Sequence, residues 1–191
     1  RIHADRLQAL QDAIRIASRI DRPGELITDY QTAGGRNAPT FSCKDETWSR
    51  HGMEKRAGGD FLTVQSWREY WADACVTVAV EAPDDIAGWL EDALTRPTRP
   101  LFIGRKSCLP AAPIFAGRSG ASDLLQSLKE APLAEDVDGT RPLEIEVPFG
   151  IDGVAGARHE TANDVKDWAN GVVTGKRRVT RGFLTPTPSQ A

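Results

Sequence analysis

The run CVTVAV, Cys75 to Val80, constrains the fold of this chain more than any other stretch. Four of its six residues are β-branched, and their stiff side chains suit a pleated strand better than a helix. The segment PDDIAGWLEDALTRP follows at once. Its spacing predicts a helix over 84–95. Asp84 or Asp85 caps its start, Ile86, Trp89, Leu90 and Ala93 or Leu94 form one apolar stripe, and Pro97 stops it. Trp89 is expected in the core. Leu101 to Ile103 then reads as a second buried strand, ending abruptly at Gly104.

Two shorter elements precede this unit. ADRLQALQD reads as a helix with Leu7 and Leu10 on one side. AIRIASRID alternates, so that Ile14, Ile16, Ser18 and Ile20 point one way and Arg15 and Arg19 the other. That pattern predicts a half-buried strand with a basic outer face. DRPGELITDY turns at Pro23-Gly24 and continues extended. The resulting order, helix-strand-strand-helix-strand, belongs to the α+β class. It fits a βαββαβ ferredoxin-like unit, of the kind RNA-binding domains use, if a first strand lies upstream of Arg1.

Between the two early strands, from Gly34 to about Ser66, periodicity disappears. Glycine pairs flank the stretch, and Arg36, Lys44, Arg50, Lys55, Arg56 and Trp48 lie within it. It is too long for an ordinary connector. Cations interleaved with an aromatic suit phosphate contact and base stacking, and a plain surface insertion is the alternative.

The string LFIGRKSC raises a related question. Gly104 would let a phosphate approach the backbone, Arg105 supplies a planar fork, and Lys106 a compact charge. Two solvated cations at a strand end explain the string equally well.

Downstream, Ser122 caps a helix DLLQSLKEA, and PLEIEVPFG alternates Leu143, Ile145 and Val147 with Glu144 and Glu146 as a further strand. After Gly150 the chain turns polar, and its proline-rich end is expected to be disordered. Charge is segregated under a net value of −3. Residues 121–173 hold four Lys/Arg against eleven Asp/Glu, and residues 174–191 hold four against none. An acidic stretch and a basic end suit different partners.

Composition excludes several classes. The 191 residues fit one domain, or one domain with a large insertion. No apolar run approaches the roughly 20 residues of a membrane span, so no membrane partner is expected. No secretory leader opens the stretch, which begins at Arg1 rather than Met, as if its natural start lay upstream. Cys43, Cys75 and Cys108 are odd in number and far apart, which points to half-buried free thiols in a reducing cytoplasm. No CxxC or HxxxH spacing occurs, and HETANDVKDW, with His159, Glu160, Asp164 and Asp167, matches no ligand set, so neither metal nor cofactor is expected.

Taken together, SWREYWADACVTVAV, then PLFIGRKSCLPAAPIF, then ASDLLQSL resemble the CasD family, the Cas-five subunit of the type I-E CRISPR surveillance complex Cascade. LITDYQTAGG resembles that family's segment before its inserted arm. The likeness covers residues 5 to about 130. It implies a RAMP/RRM-type ferredoxin-like domain over 1–130 with a thumb insertion at 34–66, and a variable extension over 131–191. It also implies binding of the 5′ handle of CRISPR RNA, with the subunit capping one end of the complex. Gly104, Arg105, Lys106 and Ser107 would line the handle site. Trp67, Arg68 and Tyr70 would sit where the thumb rejoins the sheet, with Trp48 and Arg50 on the thumb. The neighbours implied are the backbone subunit CasC and the large subunit CasA, with target DNA engaged indirectly. Family members begin with a strand and a glycine-rich string that this stretch does not contain, and Arg99 and Phe102 stand where tyrosine-like positions are expected.

Catalysis is the competing class. His3, His51, His159, Tyr70 and Lys106 are the candidates for a metal-independent endoribonuclease, since His is the usual proton shuttle near neutral pH. No histidine lies in a matched motif, and the resemblance assigns cutting to a different subunit, CasE. The sequence therefore reads as a non-catalytic RNA-binding subunit.

Overall fold

A computed structural model describes residues 4–34, 40–44, 47–51, 63–103 and 108–187. Its elements are α1 (Ala4–Ala13), β1 (Arg15–Arg22), β2 (Glu25–Gly34), β3 (Thr40–Lys44), β4 (Thr47–His51) and β5 (Thr63–Ala72). They continue with β6 (Cys75–Glu81), α2 (Asp84–Thr95), α3 (Leu124–Glu130), β7 (Leu143–Pro148), β8 (Ala155–Asp167) and β9 (Val172–Leu184). Mixed helices and antiparallel strands make this an α+β fold, as the sequence predicts. The chain forms two compact units, one of residues 1–23 and 73–191, the other of residues 24–72.

The larger unit is built on a five-stranded antiparallel sheet of order β6-β1-β7-β9-β8. Helix α3 lies on one face and buries Leu124 and Leu128 against Ala17, Ile145, Val147 and Leu184. The alternation of Leu143, Ile145 and Val147 is inward as read. The alternation of β1 is not. Ala17, Arg19 and Asp21 face α3, while Ile16 is 42% exposed. Strand β6 does the same, turning Thr77 and Ala79 inward and leaving Val76, Val78 and Val80 exposed.

The reason is a buried ion pair. Arg19 and Asp21, neighbours on one face of β1, pair through Nε–Oδ1 at 2.5 Å and Nη2–Oδ2 at 3.1 Å. The remaining guanidinium protons reach the carbonyls of Leu128, Ala131 and Pro132 and the hydroxyl of Thr77. Asp21 also accepts from Thr77 Oγ1 at 2.9 Å and from the Ala134 amide at 3.4 Å. Every donor of the fork is used, which is what lets a full charge sit at zero exposure.

Helix α3 begins at Asp123 rather than Ser122. The Asp123 carboxylate accepts the Gln126 amide at 2.8 Å, while Ser122 Oγ donates to Asp123. Helix α2 spans the predicted residues, but its cap is Pro83, without a side-chain bond; Asp84 and Asp85 sit in the first turn, where their negative charge is favourable at the positive end of the helix dipole. Trp89, expected in the core, is 48% exposed. Leu101 to Ile103 form no strand. Instead the Ile103 amide donates to the Cys108 carbonyl at 2.9 Å.

The polar region after Gly150 holds the longest strands of the sheet. Their turn is fastened by Asp167, which accepts the amides of Ala169 and Asn170, with Gly171 at φ 71°. Gly182 lies where any Cβ would come within 2.5 Å of the Ala155 carbonyl oxygen. Beyond β9 the Thr187 amide donates to the Lys129 carbonyl at 2.9 Å, and Pro186 is buried. Helix α1 is held by Gln11, whose side-chain amide bonds both the N–H and the C=O of Lys166 at 3.1 Å.

Two predictions follow from these contacts. Arg19→Met leaves the Asp21 carboxylate buried and unpaired and is expected to lower stability by about 3–5 kcal/mol, whereas Arg19→Met with Asp21→Leu recovers most of that loss. Urea unfolding measures both, and equal losses in the two variants would contradict the pairing. Hydrogen bonds from Gln126 and Ser122 hold the Asp123 carboxyl below its ordinary pKa. A carboxylate lowered on folding stabilises above its unfolded pKa and loses that contribution as pH falls through its folded value. Wild type should therefore lose more stability on acidification below the ordinary carboxylate range than Asp123→Asn, which keeps the cap acceptor but does not titrate.

Candidate nucleic-acid interface

The unit of residues 24–72 contains two antiparallel ladders, β2 with β5 and β3 with β4. The stretch from Gly34 to Ser66, which shows no periodicity, thus carries a five-residue ladder, Thr40–Lys44 against Thr47–His51, in which Cys43 faces Trp48 and Phe41 faces Arg50 in register. The side chains of Trp48 and Arg50 lie outside the described residues, as do Gly104, Arg105, Lys106 and Ser107 altogether.

Trp67, Arg68 and Tyr70 all fall on β5, but alternation divides them. Trp67 pairs in register with Tyr30, and their rings stand 5.4 Å apart at 46°. Glu69 pairs with Thr28 and Trp71 with Leu26 on that same face. Trp67 is 64% exposed and Trp71 63%, with Tyr30 and Leu26 about half exposed beside them. Arg68, opposite Asp29, and Tyr70, opposite Ile27, occupy the other face. The hairpin therefore presents an aromatic surface on one side and a more polar surface on the other. Tyr30 is the residue that sequence reasoning missed. The signal was available in ELITDYQTAG, where its parity matches Leu26 and Thr28.

In the larger unit, β8 and β9 carry a cross-strand network of ion pairs. On one face, Arg177 bonds Asp164 at 2.8 Å and Glu146 at 2.9 Å, and Arg181 bonds Glu146 at 2.9 Å and Glu160 at 3.0 Å. The hydrogen bonds that Arg177 donates to Asp164 and then to Glu146 raise its pKa, and the one Arg181 donates to Glu146 does the same there. Arg158 stands opposite Arg181 in register, and the two border a cleft of about 310 Å³ together with Ser18, Ile20 and Glu144. On this face Glu146, Glu160 and Asp164 of the acidic stretch are neutralised by Arg177 and Arg181 of the basic end.

His159 is exposed, its Nδ1 3.1 Å from the Thr180 hydroxyl. His3 lies outside the described residues, and His51 is described only as part of the β4 ladder. Cys75 and Cys108 are free and half-buried. Among the described residues no cluster of three His, Cys, Asp or Glu could hold a metal, and no helix is long and apolar enough to cross a membrane.

The Tyr30–Trp67 contact is expected to show in a double-mutant cycle. Tyr30→Ala and Trp67→Ala should couple by about 0.5–1.5 kcal/mol, the range for aromatic pairs. Strictly additive losses in unfolding free energy would contradict it.

A family model described as CRISPR-associated protein (Cas_Cas5) matches residues 1–180. The chain is 33% identical over 128 residues to the CRISPR system Cascade subunit CasD of Escherichia coli (strain K12), an alignment covering 64% of this chain and 53% of that protein. It thus spans about half the length of this curated relative. Among solved structures, a chain titled CRISPR RNA-guided surveillance complex matches with TM-score 0.56 and 21% identity, over 95% of this chain and 74% of that one. At that identity the likeness is one of fold.

Proposed function

The chain belongs to the CRISPR-associated Cas5 family, and from that premise we propose that it is a non-catalytic subunit of the type I-E surveillance complex, binding the 5′ handle of CRISPR RNA in the cytoplasm and capping one end of the assembly. The observation that carries this reading is the exposed aromatic row Trp67–Tyr30–Trp71 on the β2–β5 hairpin. Large aromatic side chains held on a ladder with most of their surface in water are costly to leave bare, and base stacking satisfies them. Residues 34–66 act as the thumb of a RAMP-type ferredoxin-like domain, and residues 131–191 as its variable extension. Trp48 and Arg50 contribute a ring and a cation from the thumb, and Arg68 and Tyr70 a cation and a ring where it rejoins the sheet. Gly104, Arg105, Lys106 and Ser107 form the cationic lip that receives phosphate. CasC and CasA are its neighbours, and target DNA is engaged through them.

Non-catalytic behaviour is supported by His159, whose ring is tied to Thr180 and stacked edge-on to Phe149 rather than paired with a second acid or base.

Arg105→Ala and Trp48→Ala are each expected to weaken handle binding by about 1–3 kcal/mol, as for a charged phosphate contact and a stacked base. Fluorescence anisotropy with a labelled handle RNA measures this, and unchanged affinity in both variants would remove the site. Incubation with precursor CRISPR RNA should leave it intact; cleavage abolished by His51→Ala or Lys106→Ala would instead establish the endoribonuclease.

A further inference from the structure

Strand β9 sorts its cations by parity. Arg177 and Arg181 point to the face where Glu146, Glu160 and Asp164 neutralise them. Lys176 and Arg178, also exposed, alternate to the opposite face. Neither makes an ion pair with a carboxylate among the described residues. Arg178 stands opposite the uncharged Thr161, and the adjoining row pairs Thr180 with His159.

This second face is also built. The Arg178 guanidinium lies over the Phe149 ring, 3.4 Å from its centre. Phe149 in turn meets the His159 ring edge-on, centroids 5.1 Å apart at 75°. His159 is oriented by the buried Thr180 hydroxyl, 3.1 Å from Nδ1. The Phe149 amide donates to the Arg178 carbonyl at 3.3 Å, fixing the backbone beneath the stack. A guanidinium stacked on an aromatic plane keeps its in-plane N–H groups free, in the fork geometry that fits two oxygens of one phosphate. Lys176, two residues along the strand, adds a second charge roughly 7 Å away.

We propose that Lys176, Arg178 and His159, organised by Phe149, form a second nucleic-acid contact that grips the phosphodiester backbone of a strand, made by residues other than those at 104–107 and 34–66. The ligand is recognised by phosphate, not by base. Two successive uncompensated cations along an extended hairpin match a repeating anionic polymer.

The test uses the whole chain with labelled single-stranded RNA and the same sequence as DNA, across a salt series. Lys176→Ala with Arg178→Ala should weaken binding about tenfold and flatten the slope of log affinity against log salt by roughly 1.4, the share of two phosphate contacts on a single strand. Loss with RNA alone, DNA alone or both supports the site and names its strand. Arg118→Ala with Arg96→Ala removes equal charge from exposed ion pairs elsewhere; an equal loss there overturns the proposal in favour of net charge. Arg178→Lys keeps the charge but loses the fork, and should fall between wild type and the double variant. If Arg105→Ala with Lys106→Ala abolishes binding while the hairpin variant binds normally, the hairpin site is overturned and the handle reading stands. The reverse result supports the hairpin and removes the lip. No binding to either strand overturns both.

Discussion

The pairing of Arg19 with Asp21 decides which way the main sheet faces. Residues two apart on a strand share a face, so a charged pair at that spacing either goes wholly to water or wholly inside. Here it goes inside, because α3 ends directly above it. The carbonyls of Leu128, Ala131 and Pro132 present the negative end of a short helix, and one planar cation answers all three while holding Asp21 bidentate. A lysine would offer one compact charge in place of the fork and leave several of these acceptors unmet. The pair therefore does for the helix C-terminus what a glycine cap does elsewhere, with the sheet itself as the cap.

That choice propagates. Once Arg19 and Asp21 are inward, Ala17 must be inward with them, and β6 must answer with its small residues Thr77 and Ala79. The isoleucine and valine residues of β1 and β6 then fall on the far side, where Ile16, Val76, Val78 and Val80 remain 42–53% exposed. Alternation gave the strand and its register of faces, but not the sign. The sign follows from the rule that charge stays outside, and that rule yields when a carboxylate, a hydroxyl and three carbonyls satisfy the charge completely. Nothing local in AIRIASRID announces α3, which lies more than a hundred residues downstream.

The same separation of local from distant explains the rest. Helices α2 and α3 and strands β6 and β7 were legible because their apolar periods and stop signals are local. The exposed side chain of Trp89 shows that a period identifies a face without saying what covers it. Strands β8 and β9 were hidden because both faces of the hairpin are polar along much of their length, so alternation carries no hydrophobic contrast. The one local clue, Asn170-Gly171, is the turn dipeptide of a tight hairpin, with Gly171 in the left-handed region it favours. In the arm, the aromatic residues of β5 were visible as candidates, but their division between two faces appears only when Tyr30 is set opposite Trp67.

Parity also governs the charge of the basic end. A sequence count assigns four cations and no acids to residues 174–191, which reads as a uniformly positive tail. As a strand the same residues are two populations. Arg177 and Arg181 are spent against Glu146, Glu160 and Asp164 of the acidic stretch. Their contribution to the outside field is close to cancelled at short range, and what survives at the surface is Lys176 and Arg178 on the other side. Because exposed pairs fade within about 10 Å at ordinary salt, a visiting anion senses the face it meets rather than the net charge of −3. A protein acidic overall can thus hold nucleic acid on one side of a hairpin while its opposite side is electrically quiet, and the alternation of a strand is sufficient to produce that division.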